Sequence, residues 1–182
     1  MKRIYPLFSI AMMVVLILMI SGFVEKDRSP APDQMVADWE RAKAYTKEYI
    51  EAASEKTISY RPTPEMRSFA EQMLHLTQGN INIVSSATGK ERIYGDVQLE
   101  KLDTYKNKEA LLKVVMEGYD FVLAAIKEMP ADKWDEKVTI FRWEMSRAEG
   151  VGKAFEHQTH HRGQTTVYLR MSGETPPSEK LF

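Results

Sequence analysis

Four segments of the chain carry apolar side chains at intervals of three and four residues, and this pattern constrains the fold more than any other feature of the sequence. Such spacing places the apolar side chains on one face of an α-helix. Stretches that contain proline or glycine separate the segments and prevent one continuous helix. The predicted helices begin near Asp33, Pro64, Asn107 and Ser146, and they end before Tyr60, Gly89, Pro130 and Gly173.

Local signals support these helix ends. We predict Thr63 as the N-cap of the second helix, because Pro64 follows at the first helical position and Glu65 lies beside the positive end of the helix dipole. Ser146 and Glu149 have the spacing of a capping box for the fourth helix.

The segments between the helices are less regular. Residues 89–106 are polar without a firm element, and residues 137–145 alternate like an extended segment. The sequence therefore predicts an all-α four-helix bundle, whose long connections leave room for a crossover.

Composition excludes several classes of function. The formal net charge of the 182 residues is −1, and basic and acidic residues are interspersed. A nucleic-acid-binding protein needs a clustered basic surface, so we expect no nucleic-acid partner. The absence of cysteine excludes disulfides, thiolate metal ligands, a cysteine nucleophile and a lipid-modified cysteine.

The N-terminus differs from the rest of the chain. Lys2 and Arg3 precede an apolar run over residues 4–24, which predicts a signal peptide or a membrane anchor helix within residues 1–24. The run lacks a clean Ala-x-Ala cleavage site, so both alternatives stay open. Both keep Lys2 and Arg3 in the cytoplasm and predict an exported, extracytoplasmic domain, periplasmic or anchored through residues 4–24. A linker (25–32), the helical domain (33–177) and a tail (178–182) follow.

The histidines are the main candidates for chemistry. His157 and His161 lie four residues apart in the last predicted helix, so their imidazoles stack on one face and can share a metal ion. His75 lies in the second predicted helix and can supply a third ligand from a facing helix. His160 is the rival for the second position, but it projects about 100° away from His161. We interpret His160 as a residue of the rim or second shell, or of the surface.

Three neutral imidazoles would leave one coordination position open and the charge of the ion uncompensated. Under these conditions a bound water loses its proton near neutral pH. Imidazole ligands suit zinc, nickel, copper and iron, and zinc is our default.

Other polar residues near the histidines are weaker candidates. Glu71 lies one turn before His75, and Glu156 is adjacent to His157, so each is a candidate proton acceptor, although most glutamates on helices are simply solvated. Gln164 can bond a ligand histidine or a substrate, or it can pack at the end of the bundle. Arg162 can pair with a carboxylate of the protein or of a substrate. We place Gln164 and Arg162 with His160 in the second shell.

The chain resembles the DinB-like (damage-inducible) superfamily of metal-binding four-helix proteins. The similarity lies in residues 60–75 (YRPTPEMRSFAEQMLH), 157–164 (HQTHHRGQ) and 168–177 (YLRMSGETPP), within a span of roughly 33–177. The resemblance implies one metal-binding histidine from the second helix and two from the last, which correspond to His75, His157 and His161. It also implies thiol-dependent transferases and isomerases among the relatives. Despite the family name, the sequence carries no DNA-binding feature.

One departure from the family affects the functional hypothesis. Its members are mostly cytosolic, where small thiols are available, whereas this chain carries an export signal. The sequence therefore favours a metal-dependent, hydrolase-like enzyme that uses metal-bound water on an unidentified small-molecule substrate. The alternatives are a non-catalytic extracytoplasmic metal-binding or interaction module, and a thiol-dependent transferase. A homodimer is compatible with the sequence.

Overall fold

A computed structural model describes residues 32–182 of the chain. The predicted signal or anchor segment (4–24) and all but the last residue of the linker lie outside the described residues. Five α-helices and two strands are present in the described part: α1 Pro32–Ala52, α2 Glu55–Ser59, α3 Phe69–Thr88, α4 Lys108–Glu128, β1 Lys137–Ile140, β2 Trp143–Ser146 and α5 Arg147–Met171. Short 3₁₀ turns cover Leu99–Lys101, Asp103–Tyr105 and Ala131–Lys133. None of the helices within residues 32–182 combines the length and apolar character needed to cross a membrane.

The start of α3 corrects one prediction. Thr63 is not the N-cap; the helix begins at Phe69, and Ser68 is the cap. The Ser68 side chain accepts a hydrogen bond from the backbone N–H of Glu71, and the Glu71 carboxylate accepts one from the backbone N–H of Ser68. This capping box satisfies two amides that Thr63 and Pro64 would leave unpaired.

The sequence predicts that the first helix continues to just before Tyr60, but α1 ends at Ala52. Ser54 then caps the separate helix α2 by accepting a hydrogen bond from the backbone N–H of Thr57 (3.3 Å).

The remaining helix boundaries agree with the local signals in the sequence. Asn107 caps α4 by accepting a hydrogen bond from the backbone N–H of Ala110. Ser146 and Glu149 form the predicted capping box of α5. Gly89 follows α3 in a left-handed conformation (φ 81°), which glycine adopts at low cost.

The long helices pack in a ring in which each contacts two others: α1 with α4 and α5, and α3 with α4 and α5. Helices α3 and α5 are antiparallel, because the Tyr168 hydroxyl donates to the carbonyl of Arg67 (3.0 Å) while Ala87 approaches Gly150 at the other end. Helices α1 and α4 are also antiparallel: the Lys127 ammonium contacts Glu40 (3.0 Å), and the Lys108 ammonium contacts the carbonyl of Glu51 (2.6 Å).

Helices α1 and α5 run in the same direction. Trp39 packs on Phe155 near the start of both helices (ring centroids 5.4 Å apart), and Tyr49 bonds Thr166 near their ends (2.7 Å). It follows that α3 and α4 are parallel, so the connection 89–107 must return along the length of the bundle. The long connections in the sequence left room for such a crossover. Residues 89–107 are called the crossover below.

A β-hairpin makes the fold mostly rather than purely helical. Strands β1 and β2 pair antiparallel, and the pair Ile140↔Trp143 closes a two-residue loop of Phe141 and Arg142. The hairpin covers the stretch 137–145, for which alternation predicted an extended segment, and ends one residue later at Ser146. It brings Ile140 against Gly150, and so packs on the first turn of α5.

Candidate metal centre

The structure brings His75, His157 and His161 together in the bundle. One ring nitrogen from each lies within 4.8 Å of those of the other two. The ring centroids are 5.4 Å apart for His75 and His157, 4.6 Å for His75 and His161, and 4.5 Å for His157 and His161. A cluster of three imidazoles from two facing helices is an arrangement that can hold a metal ion.

Two features of the sequence and the packing of two helices build this cluster. The four-residue interval places His157 and His161 on one face of α5, and the antiparallel packing of α3 and α5 places His75 opposite both. Gly79, one turn after His75 on α3, provides the room for His157. A Cβ atom at position 79 would lie 2.1 Å from Cε1 of the His157 ring, so only glycine allows this close approach.

A chain of hydrogen bonds orients His161. Its Nδ1–H donates to Oε1 of Gln72 (2.9 Å), which leaves the lone pair on Nε2 free to bind a metal. Nε2 of Gln72 donates to Oε1 of Gln164 (2.6 Å), and Nε2 of Gln164 donates to Nε2 of His160 (2.8 Å). Gln164 therefore contacts His161 through Gln72 and bonds His160 directly.

The crossover supplies a carboxylate to His75. Glu100 lies 3.6 Å from Nδ1 of His75 and accepts a charge-assisted hydrogen bond from Nε of Arg67 (2.7 Å). A carboxylate beside Nδ1 of a metal-binding histidine fixes the ring orientation and makes the other nitrogen a better ligand. At 3.6 Å the contact is longer than a hydrogen bond, so Glu100 is placed to orient His75 by electrostatic attraction.

The electrostatics of the cluster keep the imidazoles neutral. Burial, with smaller contributions from the neighbouring histidines His75 and His160, lowers the pKa of His157 to about 4. Burial and the other histidines lower the pKa of His161 to about 3. Burial and Arg67 lower the pKa of His75, and Glu100 opposes them. Neutral imidazole is the form that binds metal.

One buried nitrogen lacks a partner. Within the described part of the chain, Nδ1 of His157 is buried and makes no hydrogen bond. Leaving a buried polar atom unpaired costs free energy. Coordination of a metal ion through Nδ1 would remove that cost. Together with the donor set of three neutral imidazoles, this unpaired nitrogen fits a divalent ion.

His160 lies outside the group that can share an ion, although it neighbours that group. Its side chain is exposed and its ring centroid is 4.9 Å from that of His161. Its Nε2 is occupied as the acceptor for Gln164. His160 is therefore an exposed neighbour of the cluster, and its assignment to the rim, the second shell or the surface stays a prediction.

The candidate proton acceptors have other partners. Burial alone would raise the pKa of Glu71, but hydrogen bonds from the Ser68 backbone, Lys106 and Arg61 outweigh it and lower the pKa. The Glu71 carboxylate is thus occupied at the start of α3. Glu156 is exposed and pairs with Lys153 (2.9 Å). Among the described hydrogen bonds and ion pairs, neither glutamate contacts the histidine cluster.

Arg162 points into the bundle, where it contacts neutral groups rather than the predicted carboxylate. Its side chain is buried (6% exposed) and donates to Oε1 of Gln158 (2.8 Å). Its guanidinium stacks on the ring of Tyr45 (4.6 Å to the centroid). Tyr119 donates to the same Gln158 oxygen (2.9 Å), so Arg162 belongs to a polar network that joins α1, α4 and α5.

A polar cavity adjoins the cluster. Its volume is about 530 Å³, in the range of small-molecule pockets. Among its walls are Gln72 and Glu100, which contact His161 and His75, and Gln164. Charged side chains from the connection between α2 and α3 and from the crossover form much of the rest of the lining, including Arg61, Arg67 and Lys101.

Sequence reasoning missed Gln72, Glu100 and Gly79. Gln72 and Gly79 lie within one turn of His75, so their helical spacing from that residue was a signal available in the sequence. Glu100 had no such signal, because the polar crossover contains several acidic residues and only the tertiary structure places one of them beside His75.

A helical bundle with a three-histidine cluster is the class of protein that the fold and the site define. Comparison of the sequence with models of known families identifies the family. The model of the DinB family matches residues 24–181. The chain belongs to the DinB family, as the resemblance in its histidine motifs indicated.

Individual relatives agree with this assignment. The uncharacterized protein YjoA of Bacillus subtilis (strain 168) is 24% identical over 143 residues, which cover 79% of this chain and 92% of YjoA. A crystal structure of a DinB-like protein from Bacillus cereus ATCC 10987 superposes with a TM-score of 0.70 at 17% identity, covering 81% of this chain and 97% of the other. The crystal structure of YjoA gives a TM-score of 0.65 at 19% identity, with 80% and 96% covered. At these identities the structural likeness shows the fold alone.

Proposed function

We propose that the chain is a divalent-metal-dependent enzyme of hydrolase type, with His75, His157 and His161 as the metal ligands. The observation that carries the proposal is the convergence of three imidazole nitrogens within 4.8 Å from two helices. Three protein ligands, rather than four, are typical of catalytic zinc sites, which keep a position for water or substrate. Zinc is the first metal to test, before nickel, iron and copper.

The protein's own residues have defined parts in this proposal. A divalent ion held by three neutral imidazoles would supply a Lewis acid and lower the pKa of a bound water. Gln72 fixes the tautomer of His161 by accepting its Nδ1–H, and Glu100 orients His75. Gly79 keeps the space that the ring of His157 occupies.

The cavity beside the cluster is the proposed substrate pocket. Its lining includes the side chains of Arg61, Arg67 and Glu65, so its walls favour a polar small molecule. Arg61 is itself engaged with Glu71 (2.5 Å), and Arg67 with Glu100 (2.7 Å). A substrate that enters the cavity would meet Gln72 and Glu100, the two residues that contact the metal-binding imidazoles.

The metal assignment is tested by removing one ligand. We expect wild-type protein, purified without added ions and then loaded with Zn²⁺, to hold about one ion per chain. His157→Ala should lose stoichiometric metal, measured by elemental analysis after gel filtration. His160→Ala is the matched control, since His160 lies on the same helix but outside the cluster, and it should keep the metal. Stoichiometric zinc in His157→Ala would overturn the assignment.

A non-catalytic metal-binding or interaction module is the second candidate. The observation that favours it is the engagement of Glu71 and Glu156 away from the cluster, which leaves neither as a free proton acceptor. Screening the metal-loaded protein against ester, amide and thiol substrates separates the two functions. Turnover that chelation abolishes supports the enzyme, whereas metal binding without turnover supports the module. A shift of the cobalt absorption spectrum on adding a small thiol would instead support thiol transfer.

A further inference from the structure

The tip of the β-hairpin exposes two large aromatic side chains. Phe141 is 76% exposed and Trp143 is 59% exposed, and the guanidinium of Arg142 lies over the Trp143 ring at 5.1 Å. Tryptophan, phenylalanine and arginine side chains are suited to the boundary between water and lipid, because each combines apolar surface with a polar or polarisable part.

The backbone at the tip favours a function for these side chains. Phe141 has a φ of 57°, in the left-handed region, at the first position of a two-residue hairpin loop. Glycine is the usual residue there, and a bulky side chain is an outlier. A strained, exposed aromatic residue points to a function more readily than to folding.

The position of the hairpin relative to the N-terminus indicates what covers it. The start of α1 lies beside the end of α4, as the Glu40–Lys127 contact shows (3.0 Å), and beside the start of α5, where Trp39 packs on Phe155. The hairpin connects those same ends of α4 and α5. The chain that precedes Pro32 therefore joins the bundle at the end that carries Phe141 and Trp143.

Sequence and placement together suggest a lipid surface. Residues 4–24 form the apolar run that we expect to be a signal or anchor, and seven residues (25–31) separate it from α1. Seven extended residues span at most about 25 Å. If the run stays in the membrane, the hairpin end of the bundle is held near the bilayer.

We propose that the hairpin tip, residues 141–143, docks on the lipid bilayer in which residues 4–24 are anchored. The charges near the tip are balanced, with Arg142 in the loop and Glu144 beside it, so the surface fits a neutral phosphatidylcholine-like interface without a need for anionic lipid.

The proposed docking places the cavity at the end of the bundle that lies away from the bilayer. The cavity lies near Arg67 and Gln164, toward the start of α3 and the end of α5, and so at the opposite end of the bundle from the hairpin. Docking would leave the cavity facing water. The inference does not depend on whether the histidine cluster binds metal.

The absence of cysteine makes a site-specific test available. Arg142→Cys in the full chain carries a single polarity-sensitive fluorophore at the hairpin tip, and Glu65→Cys carries one at the cavity end, where Glu65 is exposed. Both proteins are reconstituted into phosphatidylcholine vesicles with or without brominated acyl chains. We expect the label at position 142 to shift to the blue and to be quenched by brominated lipid, and the label at position 65 to do neither.

A second pair of variants tests the aromatic side chains themselves. Combining Phe141→Ser with Trp143→Ser should remove most of the quenching at position 142. Val167→Ser replaces another exposed apolar residue (53% exposed), near the end of α5, and should leave the quenching unchanged.

Three results would overturn the proposal: an equal response of the two labels, failure of the full chain to associate with the vesicles, or a response at position 142 that rises with protein concentration without lipid. The last result would instead assign the hairpin tip to contact with a second copy of the chain. Loss of metal from His157→Ala bears only on the function of the cluster, so the two proposals can fail separately.

Discussion

Gly79 decides whether the ring of His157 can lie against α3. Its missing side chain leaves the space in which Cε1 of His157 sits, 2.1 Å from where a Cβ atom would be. The same position lies inside a helix, where alanine is more favourable than glycine by about 1 kcal/mol. The space that the His157 ring needs thus favours glycine at position 79, whereas helix propensity favours alanine.

Gly79→Ala should therefore weaken metal binding without lowering thermal stability. We expect at least about a tenfold loss of Zn²⁺ affinity, the size found when residues that orient metal ligands are changed, measured by competition with a chromophoric chelator. Gly163→Ala on α5 is the control, because nothing lies within 4 Å of its added methyl group. That variant should keep its affinity, and equal affinities for both variants would contradict the role of Gly79.

The lowered pKa values make the stability of the metal-free protein depend on pH. Above pH 6.5 the imidazoles are neutral in both states. Below it the unfolded chain takes up protons that His157 and His161 in the folded protein do not accept until about pH 4 and about pH 3. The unfolded state binds more protons in this window, so the free energy of unfolding must fall as the pH falls from 6.5 toward 3.

This prediction is checked by urea denaturation of metal-free protein across that window. Carboxylates also titrate there, so the comparison is with a variant that combines His157→Gln and His161→Gln, whose stability should depend less steeply on pH between 6.5 and about 4. The same slope in both proteins would show that the two histidines do not contribute.

At the scale of elements, the crossover links the bundle to the cluster. It must return along the bundle because α3 and α4 are parallel, and its 3₁₀ turn Leu99–Lys101 carries Glu100 to His75 and Arg67. The backbone N–H of Leu99 donates to the side chain of Gln78 on α3 (3.0 Å), which fixes the turn in place. A connection that sequence alone treats as a polar loop therefore supplies part of the site.

Glu100→Ala should lower the affinity for Zn²⁺ by about tenfold, because His75 loses the carboxylate beside its Nδ1. Chelator competition measures this loss, and the cobalt spectrum of the variant reports whether the coordination geometry changes with it. Asp96→Ala provides the comparison, since Asp96 lies on the same crossover and pairs with Arg92 at the surface. An unchanged affinity in Glu100→Ala would mean that the carboxylate only holds Arg67.

At the scale of the whole molecule, a metal ion bound between α3 and α5 should stabilise the fold. An ion that binds only the folded state adds about 2.7 kcal/mol to the free energy of unfolding at a free concentration one hundred times Kd. For a domain of this size the Tm should rise by roughly 5–10 °C.

Thermal denaturation with Zn²⁺ and with excess chelator measures the shift. His157→Ala should show the Tm of the metal-free protein under both conditions, apart from the direct effect of the substitution. A wild-type Tm that does not respond to metal would argue against a site that spans the two helices.

The sequence by itself determined the elements and their ends wherever the signal is local. Apolar spacing and the caps at Asn107 and Ser146 predicted α4 and α5, because an N-cap acts on amides only two or three residues away. The start predicted at Thr63 lies at Ser68 instead, because the capping box with Glu71 satisfies more backbone amides. The break after Ala52, where Ser54 caps α2, was not predicted.

The sequence also determined which histidines could act together on one helix, since four residues is close to one turn. Only the tertiary structure decided that His75 faces His157 and His161, that Gln72 orients His161, and that the crossover delivers Glu100. These contacts join residues far apart in the chain, and they depend on helix directions and packing distances that no local pattern encodes.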